Sequence, residues 1–137
     1  MTQITGSCLC GKVTYSFEGA PVVTAVCHCR DCQKQTGTSF SIIQGVPRQA
    51  LAVMGTPRIV PTQGMSGGTV HRHFCGDCGS PLYSLVDDVP ALAFLKAGTL
   101  DDVSTLAPQL QVWCSSAQSW LALDPALPRF DRNPPRA

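Results

Sequence analysis

The sequence is poor in charged residues, poor in aromatic residues and free of long apolar runs. Of its 137 residues, 14% are charged and 7% are aromatic. No window approaches the roughly 20 apolar residues of a membrane-spanning helix. Residues 1–7 hold no cationic stretch followed by an apolar segment, so no secretory leader is expected. We therefore expect a soluble, cytoplasmic protein without a membrane partner.

Positive charge is also scarce. Ten basic residues stand against nine acidic ones, which gives a formal net charge of +1. Arg129, Arg132 and Arg136 lie close together near the C-terminus, and the other basic residues are scattered without interleaved aromatic residues. Binding along a phosphate backbone requires a basic stripe, so nucleic acid is not an expected partner.

Length and turn-forming residues predict one mainly β domain. A chain of this length fits a single domain with a real core, and 12 glycines with 11 prolines favour short strands joined by turns. Apolar alternation and turn signals predict strands at 12–19, 22–26, 40–46, 51–54, 69–74, 82–86 and 92–97. A short helix is expected over 31–36, closed by Gly37. We place the domain at residues 1–130, an exposed loop at 61–68 and a mobile tail at 131–137.

Cysteine is the residue in excess. Seven of the eight cysteines fall in three clusters, which are Cys8 and Cys10, then Cys27, Cys29 and Cys32, then Cys75 and Cys78. Pairs two or three residues apart can direct both sulfur atoms at one metal ion, and tetrahedral zinc sites commonly join two such pairs. A disulfide scaffold is disfavoured because no secretory leader is expected. The spacings predict two zinc ions, and seven thiolates with two Zn²⁺ bring the net charge to about −2.

Two of the clusters combine into a closed site. Cys10 and Cys78 are each followed at once by a glycine, which permits a tight turn around the sulfur atom. We therefore predict a structural zinc ion that joins the N-terminal strand to the middle of the chain. Its ligands are Cys8, Cys10, Cys75 and Cys78. Structural zinc contributes folding free energy on the order of 10 kcal/mol, so this site is expected to be essential for folding.

The remaining cluster is incomplete. Cys27, Cys29 and Cys32 supply three ligands within six residues, and three protein ligands with an open fourth position are typical of catalytic zinc. Zinc bound by three thiolates carries a net charge of about −1, so it suits the binding of a substrate thiol as a thiolate better than the generation of hydroxide. His28, between two of these ligands, is a candidate for hydrogen bonding or proton transfer at the catalytic site.

Five other residues leave alternatives open. Cys114 could close the incomplete cluster, which would give two structural sites and a zinc-stabilised binding module without catalysis, or it could pack as a small apolar residue. His71 and His73 could join a mixed cysteine–histidine site, or face solvent. Arg30 and Lys34 could steer a carboxylate-bearing substrate, or be solvated surface residues.

The cysteine clusters and their neighbours resemble a known family. The matching segments are Gly6-Ser-Cys-Leu-Cys-Gly-Lys-Val, Cys27-His-Cys-Arg-Asp-Cys, Arg72-His-Phe-Cys-Gly-Asp-Cys-Gly-Ser, Ala97-Gly-Thr-Leu-Asp-Asp and Leu127-Pro-Arg-Phe. They are similar to segments of the glutathione-dependent formaldehyde-activating enzymes, which are grouped with centromere protein V, over roughly residues 4–130. The resemblance implies a β-tent fold of several twisted antiparallel sheets with a short helix.

The resemblance also implies a site and an activity. It places a structural zinc on Cys8, Cys10, Cys75 and Cys78 and a catalytic zinc on Cys27, Cys29 and Cys32. The implied reaction is that of a carbon–sulfur lyase read in reverse, in which glutathione adds to formaldehyde to form S-(hydroxymethyl)glutathione. The implied partners are therefore a small-molecule thiol and an aldehyde.

The sequence departs from this family at one position. Members usually carry a histidine in a Pro-x-x-His-Ile pattern near the C-terminus, whereas this chain has Pro108 and Gln111 at the matching places. If that histidine contacts substrate, the departure alters specificity. A third activity, methionine sulfoxide reduction with Cys114 as the nucleophile, requires a low thiol pKa, and the residues beside Cys114 include no cation.

Overall fold

The fold is mainly β, as the composition predicts. A computed structural model describes residues 3–134, and within this range the protein has ten strands and one α-helix, α1 (Arg30–Thr36). The strands are β1 (Gln3–Ser7), β2 (Thr14–Glu18), β3 (Val23–Cys27), β4 (Ser41–Pro47), β5 (Ala52–Met54), β6 (Arg58–Gln63), β7 (Thr69–Phe74), β8 (Pro81–Val86), β9 (Leu92–Lys96) and β10 (Leu110–Val112). Short 3₁₀ turns span Arg48–Ala50, Ala97–Thr99 and Cys114–Ser116. In this part of the chain, no helix has the length and apolar character to span a bilayer.

The strands form two sheets. Strands β1, β2 and β5 form a three-stranded antiparallel sheet, and the other seven form a larger sheet in the order β10-β3-β4-β9-β8-β7-β6. Neighbours in the larger sheet are antiparallel except for β10, which runs parallel to β3. The mainly antiparallel arrangement that the resemblance implies is confirmed.

The two faces of the large sheet carry different residues. On one face Val46, Tyr83 and Leu95 belong to the main buried core, together with Tyr15 and Phe17 of the small sheet. Because side chains alternate along each strand and paired residues share a face, the register defines the opposite face as well. That face carries Cys27, Ser41, Ile43, Lys96, Phe94, Ser84 and Arg72. The incomplete cysteine cluster therefore begins on the face that points away from the main core.

Helix α1 lies against β4 and is closed at both ends. Its N-cap is Cys29, whose sulfur accepts the backbone N–H of Cys32 at 3.2 Å. Gly37 ends it with a φ of 69°, a left-handed conformation that glycine adopts without a steric penalty. The helix predicted over residues 31–36 is confirmed, and it begins one residue earlier. It closes a second, smaller core made of Cys27, Cys29, Cys32, Val112 and Trp113.

The exposed loop predicted at residues 61–68 is only partly correct. Strand β6 extends through Gln63, and Pro61 pairs with His71 of β7. Strand β6 is an edge of the large sheet, where the missing N–H of a proline is tolerated. Its side chains are mostly exposed on both faces, so no apolar alternation indicates the strand. The turn that remains is tight, with Gly64 N–H donating to the Gly68 carbonyl at 2.7 Å.

Strands β1, β6 and β10 and part of the C-terminal segment were not predicted. Strands β1 and β10 are short, and β10 pairs with β3 and forms a bridge to Arg129. Beyond β10, the Trp113 N–H donates to the Arg132 carbonyl at 3.2 Å, and the Trp113 indole donates to Asn133 at 2.9 Å. The chain is thus hydrogen-bonded three residues beyond the domain boundary predicted at residue 130, and residues 135–137 of the predicted tail lie outside the described residues.

Gly6 of β1 leaves room for the ring of Tyr15 on the neighbouring strand and for the 3₁₀ turn Ala97–Thr99. A Cβ atom at Gly6 would lie 2.3 Å from the Tyr15 ring and 2.7 Å from the Thr99 carbonyl oxygen. We expect Gly6→Ala to destabilise the protein by about 1–3 kcal/mol, because the overlap forces side chains and backbone apart. Chemical denaturation measures this change. Gly98→Ala is the matched control, since nothing lies within 4 Å of its Cβ position, and equal stability of the two variants would contradict the prediction.

Candidate functional site

Four cysteines meet between the two sheets. The sulfur atoms of Cys8, Cys10, Cys75 and Cys78 all lie within 4.8 Å of one another. Cys10 Sγ is 3.6 Å from Cys8 Sγ and 3.7 Å from Cys75 Sγ. With zinc–sulfur bonds of about 2.3 Å, tetrahedral geometry places sulfur atoms about 3.8 Å apart, so the four positions fit one zinc ion. One pair follows β1 of the small sheet and the other follows β7 of the large sheet, so a shared ion would join the sheets.

Two similar turns present these sulfur atoms. Gly11 N–H donates to the Cys8 carbonyl at 3.1 Å, and Gly79 N–H donates to the Cys75 carbonyl at 2.8 Å. Both glycines have a φ of 80°, which most residues with a Cβ atom cannot adopt without strain. The tight turns that the sequence predicts after Cys10 and Cys78 are present.

The thiols of this cluster have different proton affinities. Hydrogen bonds from the side chain and backbone of Ser80 lower the pKa of Cys78 to about 5. The backbone N–H of Lys12 acts to lower the pKa of Cys10, but burial and contact with Cys8 outweigh it and raise that pKa to about 11. A divalent cation among the sulfur atoms is what allows all four to be thiolates at once.

The second group contains three cysteines and is almost fully buried. The sulfur atoms of Cys27, Cys29 and Cys32 lie within 4.8 Å of one another, and those of Cys27 and Cys32 are 3.6 Å apart. Each residue is at most 8% exposed. In residues 3–134, no further Cys, His, Asp or Glu ligand atom completes this group. The spacing again fits zinc, with three protein ligands instead of four.

Strand pairing and hydrogen bonds fix the positions of these three residues. Cys27 ends β3 opposite Ser41 of β4, and Cys29 and Cys32 are linked by the N-cap hydrogen bond of α1. Gln33, which is buried, donates to the His28 carbonyl at 2.8 Å and to the Ser116 carbonyl at 3.1 Å. The incomplete cluster is therefore fixed by the fold around it.

His28 is fully buried beside this cluster, with its ring directed at Gln111. Its Nε2 lies 3.2 Å from Gln111 Oε1, and Gln111 Nε2 donates to the Asp124 carbonyl at 3.3 Å. Because the glutamine nitrogen is used by Asp124, its oxygen accepts from His28, which places the histidine proton on Nε2. The other ring nitrogen, Nδ1, has no hydrogen-bond partner in the described protein. Gln111 stands where the resembling family usually has histidine, and here it orients His28.

Two buried cations lie near Cys32. Hydrogen bonds from Cys27 and Cys29 lower the pKa of Cys32, and the charges of Lys96 and Arg72 act in the same direction. Contact with Cys29 and with Cys32, together with burial, raises the pKa of Cys27. The two cations therefore favour the thiolate form of Cys32.

Neither cation was predicted from the sequence. Lys96 and Arg72 are 5% and 7% exposed, although lysine and arginine are seldom buried without a partner. A signal exists for Lys96, because it directly ends the apolar run of β9. Arg72 lies between two histidines in a half-polar strand, where nothing local distinguishes it from a surface residue.

In the part of the chain that the structure describes, none of the other candidate residues supplies a ligand atom to either sulfur group. His71 pairs with Asp87 at 2.9 Å, and His73 stacks on Tyr83 with ring centroids 4.3 Å apart. Cys114 begins a 3₁₀ turn, and its sulfur is not one of the grouped ligand atoms. Arg30 is exposed and donates to Gln33.

Comparison with known proteins gives one matching family. The model of the family described as glutathione-dependent formaldehyde-activating enzyme matches residues 3–116, a range that includes both sulfur groups. Fungal proteins from Aspergillus flavus and Aspergillus oryzae are each 29% identical over 114 residues, covering 80% of this chain and 59% of their own length. A protein from Penicillium rubens is 28% identical over 112 residues, covering 80% of this chain and 58% of its own.

These relatives are longer than this chain. All three are provisionally named glutathione-dependent formaldehyde-activating enzymes, and the chain spans about three-fifths of their length. Among solved structures, a crystal structure of a Rhodobacter sphaeroides protein aligns with a TM-score of 0.58 at 22% identity. It covers 74% of this chain and 91% of its own, which supports the fold.

Proposed function

The chain belongs to the family of glutathione-dependent formaldehyde-activating enzymes, and from this premise we propose that it adds a thiol of the glutathione type to formaldehyde or another small aldehyde. The product would be a hemithioacetal, which for glutathione and formaldehyde is S-(hydroxymethyl)glutathione. In the reverse direction the reaction is that of a carbon–sulfur lyase. Two zinc ions would take part, one for the fold and one at the site of reaction.

The observation that carries the proposal is the unequal number of ligands in the two sulfur groups. Four sulfur atoms form one group and three form the other, with no further Cys, His, Asp or Glu ligand atom completing the second among residues 3–134. Closed four-ligand sites are structural, and sites with an open position are catalytic. Cys27, Cys29 and Cys32 would hold the catalytic ion. Cys8, Cys10, Cys75 and Cys78 would hold the structural one.

A zinc ion bound to three thiolates supplies a coordination position at which a substrate thiol is favoured as the thiolate. In the addition itself, a sulfur lone pair forms the new C–S bond while the carbonyl π electrons move to oxygen. The oxygen takes up one proton and the thiol gives up one, so no oxidant or reductant is needed. The proposal allows two acceptors for the thiol proton, namely solvent and Nδ1 of His28, which has no hydrogen-bond partner among the described residues.

The chain's own residues hold this site in place. The N-cap hydrogen bond fixes Cys29 relative to Cys32, and Gln111 holds the His28 ring in one tautomer. The burial of all three cysteines excludes most water, which strengthens electrostatic interactions at the reacting sulfur. The charges of Lys96 and Arg72 favour thiolate over thiol at Cys32.

Metal analysis and X-ray absorption on the purified protein test the proposal. We expect two zinc ions per chain, one bound by four sulfur atoms and one by three sulfur atoms and a lighter atom. Addition of glutathione is expected to replace the lighter atom with sulfur. Exchange NMR of glutathione with formaldehyde is then expected to show addition faster than the spontaneous reaction, in proportion to protein concentration.

The competing function is a zinc-stabilised binding module with two closed four-cysteine sites. It predicts four sulfur ligands at both ions before any thiol is added, and no acceleration of the addition. Either result would sink the enzymatic proposal. Comparison with a Cys114→Ser variant tests the same point, because the enzymatic proposal expects its metal spectrum to match that of the unchanged protein.

A further inference from the structure

Arg72 is a buried cation without an acidic partner. It lies in β7, is 7% exposed, and has no carboxylate oxygen within 4.0 Å of its guanidinium among residues 3–134. A buried charge is costly to the fold unless an opposite charge compensates it. Arg72 therefore carries a buried positive charge that no carboxylate of the described residues neutralises.

Neutral side chains accept hydrogen bonds from two of the three guanidinium nitrogens of Arg72. Its Nε donates to Thr62 Oγ1 at 2.9 Å and its Nη1 to Gln35 Oε1 at 3.0 Å. Its Nη2 makes no hydrogen bond to the described residues, yet it is not among the fully buried atoms that lack a partner. Nη2 is therefore partly exposed. Its two N–H groups can donate to a carboxylate, and such charge-assisted hydrogen bonds are stronger than neutral ones.

Arg72 is one of the residues that line a groove. The groove has a volume of about 480 Å³ and lies between α1, which supplies Asp31, Lys34 and Gln35, and strands β6 and β7, which supply Thr62, Gln63 and Arg72. The opposite charges of Asp31 and Lys34 formally cancel, so Arg72 determines the net charge of the lining. We call this cavity the α1 groove.

The α1 groove borders the helix that carries Cys32. Its wall includes Asp31, the neighbour of Cys32, and Arg72 donates to Gln35 of the same helix at 3.0 Å. Lys96, the other buried cation, donates at 3.3 Å to Ser41, which pairs with Cys27, and is not a lining residue of the groove. Lys96 is therefore placed beside the cysteines, whereas Arg72 lines the groove with a partly exposed Nη2.

We infer that Arg72 anchors a carboxylate of the thiol substrate in the α1 groove while the substrate sulfur reaches Cys27, Cys29 and Cys32. The inference rests on the proposed thiol addition and specifies its substrate class, which is thiols that carry a carboxylate rather than neutral thiols. Glutathione, with two carboxylates, belongs to this class. The anchor is electrostatic and geometric, and no bond to substrate is made or broken at Arg72.

A ligand without a thiol tests carboxylate binding at Arg72 independently of thiol addition. S-methylglutathione keeps both carboxylates but cannot present a thiolate, and its dimethyl ester lacks the carboxylates as well. Titration by NMR into the unmodified, zinc-loaded protein is expected to show the acid binding at least about tenfold more tightly than the ester. Equal affinities, or no binding of the acid at millimolar concentration, would overturn the inference.

Three variants assign the effect to Arg72. Arg72→Gln is expected to weaken binding of S-methylglutathione by about tenfold or more while leaving the weak binding of the ester unchanged. Arg72→Lys keeps the positive charge but lacks the planar guanidinium, so its affinity for S-methylglutathione is expected to lie between those of Arg72→Gln and the unchanged protein. Lys34→Gln removes the same charge from an exposed position on the groove rim, and its effect is expected to be smaller. If Arg72→Gln and Lys34→Gln lost the same affinity for S-methylglutathione, binding would depend on the general positive potential of the groove. That result would refute a specific anchor at Arg72.

The outcomes distinguish this inference from the proposed function. If the protein accelerates the addition but Arg72→Gln binds S-methylglutathione normally, the anchor is wrong and the activity stands. If S-methylglutathione binds in an Arg72-dependent way but no addition is accelerated, the activity is wrong and the carboxylate site stands. Circular dichroism and zinc content verify that each variant is folded. Should Arg72→Gln fail to fold, Arg72→Lys takes its place, and a loss of affinity no greater than that of Lys34→Gln would overturn the inference.

Discussion

Replacing Cys75 with serine is expected to leave a chain that does not reach the native fold. Cys75 is 1% exposed, and its sulfur lies in the group that connects the turn after β1 with the turn after β7. Structural zinc contributes on the order of 10 kcal/mol, which is comparable with the whole stability of a small domain, about 5–15 kcal/mol. Far-UV circular dichroism without a cooperative thermal transition, and loss of bound zinc, are the expected readouts.

Cys114→Ser is the matched control for this variant. It makes the same chemical change at a half-buried cysteine that belongs to neither sulfur group. We expect it to fold, to melt near the temperature of the unchanged protein and to retain both zinc ions. A Cys75→Ser protein that folds with two zinc ions would show that the four-cysteine group is not the structural site.

Replacing Cys32 with serine is expected to abolish activity and leave the fold intact. The three-cysteine group lies on the face of the large sheet that points away from the main core, and all its ligands come from one short segment. It therefore joins no distant parts of the chain. The expected loss of stability is about 1–3 kcal/mol, as for a buried polar group that loses its partners.

Three measurements check this second prediction. The variant should retain one zinc ion of two, should show a cooperative thermal transition, and should leave the rate of thiol addition at that of the spontaneous reaction. If Cys32→Ser and Cys75→Ser behaved alike, whether both folded or both unfolded, the division into a structural and a catalytic group would be wrong. A variant with one zinc ion and undiminished activity would place the chemistry elsewhere.

The sequence places His28 correctly beside the incomplete cluster, but it does not show which way the imidazole ring points. The sequence places it between two ligands of the incomplete cluster, which suggested a role near the open position. In the fold its ring is directed at Gln111, and Gln111 comes from β10, a strand that pairs with β3 from far along the chain. Strand β10 is three residues long and has no pattern of its own, so only the parallel pairing reveals the contact.

The sequence alone determined the two sulfur groups, the short helix and the mainly β class. These features depend on residues that are close together in the sequence. Cys29, for example, caps the helix that carries Cys32 three residues later, and such local relations can be recognised before the fold is known. The tertiary structure decided which side chains surround the three-cysteine group. Arg72, Lys96 and Gln111 lie 40 or more residues beyond Cys32 in the sequence, and they are buried by pairing and packing that no local pattern encodes. The incomplete cysteine group was predictable, whereas the positive charge beside it was not.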